Sequence, residues 1–286
     1  MKKTVITIVF LSILGSLAVT GCGTATKNHS SNGTKESTVS VYELRASSNE
    51  WFSSIIKSAM TYVTKTKFVL LAPTLPDYSP HDGNWYTDAI VQSSANNYSV
   101  NLQWAYRQLP INSPELSNWQ YANIGDAGII GSFGGTQYPS DKAAEAQLYV
   151  TQIHDVAPAY QSPPAKSKGV KVDLGHGIHG LAYSSSVNSM VVSMVVWHQE
   201  EWTLEVTGMA PLPIQETKEI ITYLHTHKLP STNGVFIVEM AGDGNHTSAQ
   251  WEFGKVVYSC SDYHSALQAA KMAVSMRVYP SRSGRL

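Results

Sequence analysis

Apolar residues fall at helical spacing in only a few stretches of this chain and alternate with polar ones in many more, so the pattern predicts a strand-rich fold with a few helices. Phe52, Ile55, Ile56, Ala59, Met60 and Val63 fall on one helical face and predict the first helix, with Ser47 and Glu50 as its capping box. Phe68–Ala72 reads as an apolar strand ended by Pro73, and Tyr98–Tyr106 as a strand carrying Val100, Leu102 and Trp104. Asn112–Gln137 is rich in Gly, Asn, Ser and Ala, and its short apolar pieces, such as Ile129-Ile130, set no period. A short helix is expected at Asp141–Val150.

Beyond Pro158–Lys168, where three prolines and no aliphatic run suggest a boundary, strands and helix recur in the same order. The run beginning at Gly169 opens strands containing Trp197, followed by a helix begun by Pro213 that buries Ile220, Ile221 and Leu224. Gly234 opens a second set containing Trp251, followed by a helix at Asp262–Met276 with Ala266, Leu267, Ala270 and Ala273 on one face. Such units cannot bury an apolar face alone, and strands this close in sequence join as antiparallel hairpins. The expected class is therefore α+β: mainly antiparallel sheet with helices packed on one face, and an internal strand-strand-helix repeat in the C-terminal half. Residues 41–157 form the N-terminal half, 169–280 the C-terminal half and 281–286 a tail. The pattern leaves open whether the halves are one domain or two.

Before residue 41 nothing looks like fold. Lys2 and Lys3 precede an almost uncharged apolar run from Val5 to Val19, the basic and hydrophobic regions of an export signal. A spanning helix would need about 20 apolar residues. The run closes on Val19-Thr20-Gly21-Cys22, which resembles the lipobox of bacterial lipoproteins, although Thr20 departs from the more usual Ala or Ser. The resemblance implies removal of residues 1–21 and diacylglycerol on Cys22, whose two acyl chains suffice for stable anchoring. Gly23–Ser40 is Ser, Thr, Asn, Gly and Lys with little to bury. It reads as a tether spanning roughly 20–25 Å as a coil. The expected location is the extracytoplasmic face of the cell membrane.

Charge and cysteine content narrow the partners. Without Lys2 and Lys3, 18 basic residues face 21 acidic ones, a balance of −3 that predicts no attraction to nucleic acid. Cys22 and Cys260 are the two cysteines, so lipidation of Cys22 leaves no intramolecular disulfide to form.

Several motifs approach chemistry without completing it. Gly175-His-Gly-Ile-His-Gly180 fits G-x-G-x-x-G, but the following residues, rich in Ser, Val and Met, predict strand where a dinucleotide site needs a helix. His176 and His179 are the weak metal candidates, in a turn. Elsewhere His198, His225, His227, His246 and His264 show no ligand spacing. Gly131-Ser132-Phe-Gly134 approaches a nucleophile elbow, with Ile130 where its first glycine belongs, and a loop requiring positive φ explains Gly131, Gly134 and Gly135. Glu200, Glu201 and Glu205 surround Trp202, but strand parity puts Glu201 and Glu205 on one face with Glu200 and Trp202 on the other, so a hairpin with a polar tip between Val196 and Thr203 is expected. Seven tryptophans and 15 tyrosines would suit a carbohydrate or peptide surface, but core packing absorbs most aromatics.

Taken together, Trp197 and Trp202 on one hairpin, Leu229-Pro230 after a helix, and the closing Ala269-x-x-Met272-Ala273-x-Ser275-Met276 are similar to cell-surface lipoproteins of Gram-positive type. That resemblance brings no catalytic motif with it. The expected role is a non-enzymatic envelope lipoprotein, without cofactor, that binds a partner protein or wall component. A ligand-capturing lipoprotein serving a transporter and an unrecognised hydrolase are the alternatives.

Overall fold

The computed structural model describes residues 51–76, 85–118, 120–122, 128–154, 169–187, 190–241 and 244–280. The signal, lipobox, tether, Ser47, Glu50 and Pro158–Lys168 therefore lie outside the described residues, and Glu43–Leu286 constitutes one compact unit.

The first helix, α1 (Ser54–Met60), buries Ile56, Ala59 and Met60, with Phe52 and Val63 just outside its ends. It is shorter than its apolar face suggests. The expected strand at Phe68–Ala72 contracts to β1 (Leu71–Pro73), and Pro73 lies inside it. Then come β2 (Tyr86–Ser93), β3 (Asn97–Ala105), a 3-10 turn at Pro114–Ser117, β4 (Ile129–Gln137) and α2 (Asp141–His154). The C-terminal half supplies β5 (Val170–Gly175), β6 (Ile178–Val187), β7 (Met190–Gln199), β8 (Trp202–Met209) and α3 (Leu212–Leu224). It continues with β9 (Gly234–Ala241), β10 (Gly244–Phe253), β11 (Val256–Asp262), α4 (Ala266–Ser275) and β12 (Met276–Val278).

Ten strands form a single sheet in the order β2-β3-β4-β11-β10-β9-β8-β7-β6-β5, and β1 pairs with β12 in a small second one. The class is α+β, and every pairing among these strands is antiparallel except β8 with β9. That exception follows from α3, which lies between those strands in the chain and returns β9 beside β8 in the same direction. The pairing of β4 with β11 joins the two halves of the chain in the same sheet.

The two predicted units are unequal: the one opened by Gly169 runs through four strands, β5–β8, before α3, and the one opened by Gly234 through three, β9–β11, before α4, with Trp197 on β7 and Trp251 on β10. Helices α3 and α4 pack together over the sheet. Beneath them Trp197, Trp202, Phe236, Trp251 and Tyr258 form the heart of the main core, which Ile56 of α1 and the preceding Phe52 extend.

Strand alternation places Val235 and Val257 on the other face of β9 and β11, where they pack with Ala144 and Leu148 of α2. Helix α2 thus covers the opposite side of the sheet, which explains why Val235-Phe-Ile-Val238 is a continuous buried run. Helix α4 begins later than expected. Asp262 ends β11 and accepts hydrogen bonds from the His264 and Ser265 amides, and Ser265 caps the helix through Gln268 N–H. Leu267 is only partly buried and faces a groove toward α3 rather than the core.

Glycines 131, 134 and 135 belong to β4, not to a loop, and positive φ is not what selects them. A Cβ at Gly131 would collide with the Ser261 carbonyl, and one at Gly134 with the Tyr98 carbonyl, so close strand approach is the reason for both.

The two tryptophans of the β7–β8 hairpin are equally buried and unequally bonded. Trp202 Nε1 donates to the Pro230 carbonyl at 2.8 Å, whereas Trp197 Nε1 has no acceptor. Trp202→Phe should therefore cost about 1 kcal/mol more than Trp197→Phe, the net worth of one hydrogen bond, as read by urea unfolding of the two variants.

Candidate functional site

A groove lined by both polar and apolar groups runs along the outer edge of β2. That edge strand is covered by the segment following β3. The Asn112 amide donates to the Ala89 carbonyl at 3.0 Å. Asn112 Oδ1 accepts from the Val91 amide at 2.6 Å, and Asn112 itself has a φ of 62°. This residue tolerates left-handed backbone because its short side chain bonds locally. On the other side stands α1, held by its buried Ile56 and Ala59 so that Ser54, Ser58, Thr61 and Tyr62 border the gap. The groove between them has a volume of about 630 Å³.

At its base lies Asp88, 1 % exposed although it carries a carboxyl group. Its Oδ2 accepts from the Leu109 amide at 3.1 Å, a bond that ties the covering segment to β2. Burial disfavours the ionised form and pushes the Asp88 pKa up to about 6, with the Leu109 hydrogen bond opposing the rise. Tyr62 and Tyr86 edge the groove and are 48 % and 38 % exposed. Among the described residues that line it there is no Lys, Arg, His or second carboxyl.

The residues singled out by sequence lie elsewhere. Gly175–Gly180 forms the turn between β5 and β6, with positive φ at Gly175, His176 and Gly177, so the G-x-G-x-x-G spacing is a hairpin and not a phosphate loop. That turn separates the two histidines: His179 lies on β6 opposite Asp173, and His176 stacks on His225 at the end of α3, with ring centroids 4.2 Å apart and planes 22° apart. No group of three His, Cys, Asp or Glu residues suited to a metal ion occurs among the described residues. The His176–His225 contact has no signature in the sequence, because it depends on where α3 ends above the hairpin.

Ser132 is a mid-strand residue of β4 whose hydroxyl lies 2.8 Å from that of Ser261, without the strand-to-helix turn of a nucleophile elbow. The polar hairpin tip is present at Glu200-Glu201. Glu200 pairs with Lys228 at 3.0 Å, Trp202 is buried, and Glu205 lies on the opposite face, where burial raises its pKa against a hydrogen bond from Thr207. Cys22 lies outside the described residues. Cys260 is a free, fully buried thiol whose pKa burial pushes well up.

No motif singles out Asp88. The signal that could have found it is modest: an acidic residue inside the strand-forming run Tyr86-Thr-Asp-Ala-Ile-Val91, where Asp is disfavoured. Compared with models of protein families, with curated proteins and with solved structures, the chain matches none.

Because the folded-state pKa of Asp88 lies above the ordinary carboxyl value of 3.8, the group favours folding only when protonated, and that contribution is lost as pH rises from about 4 through about 6. Asp88→Asn keeps an oxygen for the Leu109 amide and removes the charge. Its melting temperature relative to wild type should therefore rise between about pH 4 and about pH 7, as followed by thermal unfolding at both values.

Proposed function

We propose that the protein is an extracytoplasmic lipoprotein, held at the cell membrane by lipid on Cys22 and acting by binding rather than by catalysis. The observation that carries the reading is the coincidence of a basic-then-apolar N-terminus with Val19-Thr20-Gly21-Cys22 and a polar tether. The groove beside Asp88 supports a binding role. It offers hydroxyl groups, two exposed tyrosine rings and one carboxyl, the mixture of apolar and convergent polar groups typical of a recognition site. A partner at the cell envelope, protein or wall component, is the natural occupant for a domain tethered there.

Neither the transporter reading nor the hydrolase reading has an observation of its own. Capture proteins usually close two lobes with parallel sheets around a ligand, whereas here ten strands make one sheet.

The anchoring claim is tested by Cys22→Ala in cells. Fractionation should find the variant in the medium or as an unprocessed precursor at the membrane, while the wild type is mature and membrane-bound. A mature, cleaved variant still sedimenting with membranes would refute lipid anchoring.

A further inference from the structure

We infer that the groove between α1 and the edge of β2 binds a primary ammonium group carried on an aliphatic chain, with the Asp88 carboxylate as its counter-ion and Tyr62 and Tyr86 flanking the chain. This deepens the binding role proposed above and rests on it.

Two side chains in this groove can take a donor from a ligand. Asp88 Oδ2 accepts from the Leu109 amide, and the carboxyl has acceptor capacity beyond that bond. Ser53, the residue preceding α1, lines the same groove, and its Oγ is buried without any hydrogen-bond partner and makes no cap to its own helix. Both can accept from a ligand, and an ammonium group brings three N–H donors.

Charge then separates an ammonium from a neutral sugar. For a carboxyl 1 % exposed and facing no cation among the groove's described residues, the Leu109 hydrogen bond offsets only part of the desolvation. A bound cation restores that balance, whereas a sugar hydroxyl supplies the hydrogen bond without the charge. Exposed tyrosine faces add attraction for a cation and apolar cover for its methylenes. The loop anchored by Asp88 accounts for the Leu109 bond and leaves Ser53 Oγ unexplained.

Ionisation of Asp88 gives the pH dependence. The titratable groups facing it from α1 and β2 among the described residues are Tyr62 and Tyr86. The covering segment contributes Gln108, Leu109, Pro110 and Ile111 to the lining, and its Arg107 is paired with Glu115 at 2.7 Å. Asp88 itself therefore controls the charge of the groove. With its pKa at about 6, roughly a tenth of Asp88 is ionised at pH 5 and nine-tenths at pH 7. Affinity should fall about tenfold between pH 7 and pH 5.

The test is calorimetric titration of the full-length protein in detergent with 1,5-diaminopentane, with acetyl-Gly-Lys-Gly-amide and with chitotriose, at pH 7 and pH 5. The first two distinguish a free amine from a lysine side chain. The expected result is binding of at least one amine probe, weakened about tenfold at pH 5, at least tenfold weaker in Asp88→Asn, and several-fold weaker in Tyr62→Ala, whose exposed position leaves the fold intact. If Asp88→Asn loses its cooperative melt, Tyr62→Ala and the pH dependence carry the decision. Binding of chitotriose alone, insensitive to pH, overturns the ammonium assignment and leaves a binding groove. Silence toward all three probes from the folded wild type overturns the assignment as well, while the fractionation of Cys22→Ala judges the anchored reading separately.

Discussion

The ten strands act as one sheet because β8 and β9 lie side by side in parallel, and that contact depends on Gly234. Its Cα sits against the indole of Trp202, so close that an added Cβ would stand 2.5 Å from the ring. Trp202 in turn lies 6.1 Å from Trp251, which is 6.1 Å from Tyr258. The seam therefore runs into an aromatic row beneath α3 and α4. Without it, β5–β8 and the strands from β9 to β2 would expose two edges, each with a row of unpaired backbone groups. Burial of the aromatic row and completion of the backbone ladder are thus one event.

The same logic separates what the sequence disclosed from what it concealed. Helix α3 was legible from Pro213, Ile220, Ile221 and Leu224, because an amphipathic face on a helix is written in its own residues. The order of strands then helix in each half of the C-terminal part was legible in outline for the same reason, although the first set has four strands and the second three. Strand β4 was not, since its run Ile129-Ile-Gly-Ser-Phe-Gly-Gly135 is populated by glycines, and Gly131 and Gly134 answer to the carbonyls of β11 and β3. Those neighbours are remote in sequence, and composition alone suggests a loop. The strand read at Phe68–Ala72 was legible in kind, but its bounds, Leu71–Pro73, are set by pairing with the sequence-remote β12.

Candidate chemistry follows a similar division. Motif-like spacing around His176, Ser132 and Glu200 reports hairpin turns and tight strand packing, both local demands that use Gly, Ser and Glu for backbone reasons. Asp88 belongs to no motif. Its importance arises when the chain after β3 folds back on the edge of β2 and removes water from one side of the carboxyl, a consequence of tertiary structure that no window of sequence contains.

An edge strand needs cover, and most ways of covering it are apolar or charged outward. Here the cover is fastened by a buried carboxylate, which costs desolvation at neutral pH, and by Asn112, which bonds the strand on both its amide and its carbonyl side. An amide side chain would hold Leu109 equally well without charge, as Asn112 does for Val91. Asp in place of Asn therefore costs the fold at neutral pH, and the proposed ammonium ligand would offset that cost. A site whose stabilising partner arrives from outside couples occupancy to stability, so that the empty groove is the least stable state of this edge near pH 7 and the occupied one the most.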